Sequence, residues 1–61
     1  MNPVYIGDGI YLQQDQEDPT RLILTTNSHL LEDADAVVYL EIEELQSLMQ
    51  YIGAFLQKEG F

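Results

Sequence analysis

Apolar positions recur with helical spacing near the end of the chain. Leu45, Leu48, Met49, Ile52, Phe55 and Leu56 follow one another at intervals of three and four residues. At ~100° per residue they fill an arc of roughly 120°, one core-facing stripe of an α-helix running from about Ile42 to Lys58. The opposite side carries Glu43, Gln46, Ser47, Gln50, Ala54 and Gln57. Glu41 takes the N-cap position, and Leu40 and Leu45 then have the spacing of a hydrophobic staple. Glu41, Glu43 and Glu44 sit where the helix dipole favours negative charge; Lys58 falls in the last turn, and Gly60 is the expected stop. Gly53 breaks the pattern, at about 1 kcal/mol relative to alanine.

The rest of the chain has strand periodicity. Val4 to Ile6 and Ile10 to Leu12 flank Gly7-Asp8-Gly9, which marks either a tight hairpin or a kink in one strand. The preferred reading is a single working strand from about Gly9 to Gln14, with Val4 to Ile6 as a lead-in or edge piece. Asp15 to Thr20 reads as a turn around Asp18-Pro19. Arg21 to Thr26 reads as a second strand and Ala36 to Leu40 as a third, feeding directly into the helix. Asn27 to Asp35 is long for a hairpin connection and contains Leu30-Leu31, which suits a helical turn or two leucines tucked over the core. The expected fold is one small α+β domain over residues 1–61. Its antiparallel sheet has three strands, or four if Val4 to Ile6 pairs separately, with one C-terminal amphipathic helix packed on one face in the order β-β-β-α.

Alternation assigns faces. Ile10, Leu12, Leu22, Leu24, Val38 and Leu40 are expected beneath the helix, with Tyr11, Ile23, Val37 and Tyr39 on the outer face. A solvated sheet face is normally polar, so this apolar and aromatic set points to an interface.

Charge adds a second constraint. Eleven carboxylates face two cations, Arg21 and Lys58, for a net charge of −9. That balance disfavours direct contact with nucleic acid or anionic membranes and suits a protein partner with a basic surface. Glu32, Asp33, Asp35, Glu41, Glu43 and Glu44 form the expected acidic rim of the interface. Partial mimicry of DNA by these carboxylates ranks behind general protein binding, because much of the charge lies in loops. No segment has the pattern of a secretory signal, and the longest run of large apolar residues is four, Val37 to Leu40, so a cytoplasmic protein is expected. A chain this small, without cysteine, is helped by self-association, and a homodimer is expected.

The candidate chemistry is thin. Ser28 and His29 precede Glu32, Asp33 and Asp35, but neighbours on one loop do not reach a triad arrangement. Asp15, Glu17 and Asp18 form a second carboxylate cluster, yet neither stretch has the mid-loop glycine and terminal glutamate of a calcium loop. With one histidine and no cysteine, no metal or other cofactor is expected, nor catalysis.

The residues Gly7-Asp8-Gly9-Ile10-Tyr11-Leu12, Leu22 to Thr26, and Val38-Tyr39-Leu40-Glu41 followed by Glu43, Leu45, Leu48 and Tyr51-Ile52 carry a resemblance. The chain resembles a loose group of small, mostly uncharacterised phage and prophage proteins with a D-G-V-Y … Y-L-E-P-E-V-L pattern. It departs from them at Ile42, where the group tends to have proline, which would mark the first helical residue. The resemblance implies a phage-related origin and a sheet-plus-helix fold, and supplies no activity and no catalytic residue. The resulting expectation is a non-catalytic acidic protein-binding module, such as a phage-encoded inhibitor of a host defence or nucleic-acid-handling protein. The alternative is an accessory homo-oligomer using the outer sheet face to self-associate.

Overall fold

The structure, a computed structural model, describes residues 2–58. Four strands and a helix follow in order: β1 (Val4–Gly7), β2 (Ile10–Gln14), β3 (Leu22–Thr26), β4 (Val37–Leu40) and α1 (Ile42–Lys58). The strands form one antiparallel meander in the order β1-β2-β3-β4, so the α+β class is as the pattern predicts. The glycine-flanked Asp8 makes a hairpin, not a kink. Asp8 and Gly9 have φ of 57° and 82°, both positive as a two-residue type I′ turn requires, and Gly7 pairs with Ile10 across it. Val4 to Ile6 is therefore within a full edge strand, with a bulge between Tyr5 and Gly7.

The register places Val4, Leu12, Leu24 and Val38 in one row, flanked by Ile10 with Thr26 and by Gln14, Leu22 and Leu40. The other face carries Tyr5, Tyr11, Gln13, Ile23, Thr25, Val37 and Tyr39. This is the expected division of residues; the covering is not. α1 approaches β4 alone among the strands, and none of its described residues is buried. Leu48, Ile52, Phe55 and Leu56 remain 40–49% exposed and Met49 72%. The cause is the connection. Only Glu41 separates β4 from α1, whereas folding a helix back over its own sheet requires a loop to reverse the chain. The helix stripe and the Leu12–Leu24–Val38 face consequently lie open.

The lid is the Asn27 to Asp35 connection, on the opposite face. The His29 ring lies 5.9 Å from that of Tyr11, and Gln13 Nε2 donates to the His29 carbonyl at 2.8 Å. Leu31 lines a groove with Ile23 and Tyr39. Under this loop sit Ile23, the one buried apolar side chain among the described residues, and Thr25, which is fully buried. The loop is closed at its base by short-range bonds. Asn27 N–H donates to the Gly9 carbonyl at 2.6 Å, Asn27 Nδ2 donates to Asp35, and Asp35 N–H donates to the Thr26 carbonyl at 3.0 Å. Within it, the N–H groups of Asp33 and Ala34 both reach the Leu30 carbonyl at 3.0 Å, the helical turn that Leu30-Leu31 suggested.

The start of α1 follows the expected capping. The Glu41 carbonyl accepts from Leu45 N–H at 2.9 Å, and Glu44 Oε1 accepts from Glu41 N–H at 2.9 Å, one half of a capping box. Leu40 and Leu45 are both half-buried at this junction, in keeping with a staple. Gly53 has nothing within 4 Å of the position a Cβ would take. The expected stop at Gly60 lies outside the described residues.

Two substitutions test this packing. Thr25 Oγ1 is buried without a hydrogen-bond partner among the described residues, and an isosteric valine removes that cost. Thr25→Val is expected to raise unfolding stability by about 1 kcal/mol in urea titrations; a loss of stability would show that the hydroxyl is satisfied. A Cβ at Gly9 would fall 2.7 Å from Asn27 Oδ1 on a backbone with φ of 82°. Gly9→Ala is expected to cost about 2 kcal/mol, since it forces both a left-handed alanine and a shift of the loop base. A neutral result in the same titration would mean that Asn27 does not hold the loop.

Candidate functional site

The expected interface face is rebuilt by its own loop, so the site has to be assembled from what remains open. At the far end of the β2–β3 hairpin, Asp15 just after β2 and Arg21 just before β3 close the turn from its two sides. Asp15 N–H donates to the Arg21 carbonyl at 2.9 Å, and Arg21 N–H donates to the Asp18 carbonyl at 3.0 Å. The Arg21 guanidinium donates twice to Asp15 Oδ2, from Nε at 2.8 Å and Nη2 at 2.5 Å. Asp15 Oδ1 accepts from Glu17 N–H at 2.9 Å, so both carboxylate oxygens are used and the residue is only 6% exposed. Asp18 caps the same turn, accepting from Thr20 Oγ1 at 2.6 Å and Thr20 N–H at 3.2 Å.

Arg21 then reaches onto the sheet, with its guanidinium carbon 4.8 Å from the centre of the Tyr39 ring. A cation over the face of an aromatic ring is attracted by the ring quadrupole. This contact links the β2–β3 turn to β4. Around it opens a groove of about 290 Å³ lined by Gln13, Asp15, Glu17, Arg21, Leu31 and Tyr39, with Ile23 at its floor.

These contacts set the local electrostatics. The Arg21 hydrogen bond, followed by the Glu17 N–H, holds the Asp15 carboxyl below its ordinary range. The Thr20 hydroxyl and N–H do the same for Asp18. The bond to Asp15 raises Arg21, with further support from Asp18 and Glu41. Arg21 is thus a neutralised cation inside an acidic surround.

The residues expected at the apolar centre have separate fates. Ile23 is buried and lies under the loop, so it supports the face without presenting a surface. Tyr11 is half-buried between Tyr5, with ring centroids 5.1 Å apart, and His29. Val37 and Tyr39 remain at the surface, 36% and 47% exposed, joined by Leu31 at 41%. Of the acidic set, Glu32, Asp33, Glu41 and Glu43 are exposed, and Glu41 acts through its charge on Arg21. Asp35 accepts from Asn27 at the loop base, and Glu44 caps the helix.

Glu17, Arg21 and Leu31 were absent from the sequence-derived set. Asp15 and Arg21 were legible in principle, since opposite charges at the two ends of a predicted hairpin turn can meet across it. Leu31 carried a weaker signal, as a leucine in an otherwise polar loop.

Ser28 and His29 serve the loop. Ser28 Oγ accepts from Leu30 N–H at 3.1 Å, and the His29 ring packs on Tyr11. Among the described residues, no three His, Asp or Glu side chains are grouped as a metal site requires, and no helix is long and apolar enough to cross a membrane. Comparison of the chain with protein-family models, with curated proteins and with solved structures gives no match in any of the three.

The depressed carboxyls fix the sign of an acid effect. In the folded chain Asp15 and Asp18 stay ionised at a pH where the unfolded chain has begun to bind protons. Their contribution to stability is therefore complete at neutral pH and is lost as pH falls below about 4, through the folded values. Urea midpoints are expected to drop from neutral pH to pH ~3. Asp15→Asn is expected to lower the neutral midpoint and to flatten that drop. An unchanged pH profile in the variant would mean that the clamp is not what the acid removes.

Proposed function

We propose that the protein is a non-catalytic acidic protein-binding module that captures a partner with a basic surface. The resemblance implies a phage-related origin, and by analogy with small acidic phage proteins the proposed role is inhibition of a host defence or nucleic-acid-handling protein in the host cytoplasm. The observation that carries the proposal is Tyr39, exposed on the terminal strand and held in a groove whose margins are carboxylates. Tyrosine anchors of this kind supply contact area at low entropic cost, and a charged rim accelerates encounter more than it tightens the complex. Glu17 lines the groove, Glu41 lies close enough to act on Arg21, and Glu32 and Asp33 follow Leu31 on the lid. The open part of this face is narrow, because the loop occupies its middle. That supports an anchored contact with a different protein over self-association through the same face.

The test is affinity capture from host-cell lysate at low and moderate salt. A partner with a basic surface is expected to be retained at low salt and largely released at moderate salt. Tyr39→Lys is expected to abolish retention. Glu32→Gln combined with Asp33→Asn, both on the exposed lid, is expected to weaken retention several-fold without altering the fold. Retention that is indifferent to salt and to all three substitutions would refute the proposal.

A further inference from the structure

The groove uses one side of the sheet; the other side is open. Val4, Ile10, Leu12, Leu22, Leu24 and Val38 share an apolar face that the helix does not cover, with Val4 and Val38 exposed and the others half-buried, and beyond the Leu40–Leu45 junction Leu48, Met49, Ile52, Phe55 and Leu56 form an exposed apolar stripe. Neither set includes any of the eleven carboxylates. A partner chosen for its basic surface has nothing to neutralise here, so the surfaces call for an uncharged apolar counterpart. Each is such a counterpart to the other. The helix is about 25 Å long, enough to cross a four-stranded sheet about 15–20 Å wide. Yet the single residue Glu41 between β4 and α1 holds a chain's own stripe away from its own sheet.

The dimensions agree. A compact 7.0 kDa chain exposes about 4,000 Å², whereas this one exposes 4827 Å². The excess of about 800 Å² matches what one protomer buries in a standard protein interface. The radius of gyration is 12.8 Å, against about 10.5 Å for a compact chain of this length.

We infer that the occupant of these surfaces is a second copy of the chain: a two-fold dimer in which α1 of each protomer lies across the open Leu12–Leu24–Val38 face of the other. A two-fold axis makes the exchange reciprocal, so both stripes and both sheet faces are covered by one operation. The Tyr39 groove stays outside the interface on each protomer. The dimer carries twice the −9 charge of the chain, so salt strengthens it by screening, opposite to the effect on a basic partner.

Sedimentation equilibrium of the full chain tests this. The expected mass is twice 7.0 kDa at micromolar protein, with dissociation falling as salt rises. Ile52→Lys is expected to weaken the dimer by about 30-fold or more. Ile52 is 44% exposed in the single chain, so far-UV circular dichroism of the variant is expected to retain its strand and helix signals. Tyr39→Lys is expected to leave the dimer intact, which separates this inference from the capture proposal. For the seating, Leu12→Cys and Ile52→Cys variants are mixed and oxidised; the chain has no other cysteine. A disulfide between the two variants supports the arrangement. A monomer at all concentrations, a dimer indifferent to Ile52→Lys, or cross-links between Ile52→Cys copies without any to Leu12→Cys would each overturn it.

Discussion

The shortness of the link between β4 and α1 governs this molecule. Leu40 ends a strand, Ile42 begins a helix, and Glu41 between them is both linker and N-cap, fixed by the Glu44 side chain and by the first helical hydrogen bond. With no loop to reverse direction, the helix leaves the sheet instead of lying on it. The surface that would have become the main core stays open, and the task of covering the sheet passes to the Asn27 to Asp35 loop on the other side. A nine-residue lid closes over little, which is why Ile23 and Thr25 are the centre of burial. Cohesion then leans on the strand ladder, the Gly9–Asn27–Asp35 closure and the Asp15–Arg21–Tyr39 chain of contacts.

This division explains what could be read from the chain alone. Helix limits, the Glu41 cap, the three principal strands and the sorting of their residues into two faces depend on local spacing, and local spacing is written in the sequence. The Asp8-Gly9 turn was legible as one of two options, and the positive φ at both residues decides for the hairpin. The identity of the covered face was not local. The amphipathic stripe of α1 states that the helix wants an apolar neighbour without stating whose, and the loop's leucines compete for the same role. Ile23 was therefore read as an outward residue when it lies beneath the lid. Arg21 was counted as a scarce cation, but its use as a bridge between a hairpin turn and Tyr39 needs β4 placed beside β3, a pairing between residues far apart in the chain.

The two faces also divide the charge. The groove side gathers carboxylates around a tyrosine and one neutralised arginine; the open sheet face and the helix stripe have none. The two proposed contacts are therefore expected to respond to salt with opposite signs. An acidic composition can then suit a basic partner without preventing apolar association, because repulsion is kept at the perimeter.

The position of β4 has a consequence for solubility. Like β1 it is an edge strand of the sheet, and Val37-Val38-Tyr39-Leu40 carries no charge of its own. Uncharged terminal strands are templates for the addition of further strands, and natural chains guard them with charged gatekeepers. Here Asp35 stands two residues before the strand and Glu41 immediately after it. Both guards are carboxylates, so two copies meeting edge to edge bring like charges together. Near the isoelectric region around 4.1 the net charge of the chain fades, and with it the mutual repulsion between copies. With that repulsion gone, the uncharged edge of β4 is expected to favour strand addition between copies.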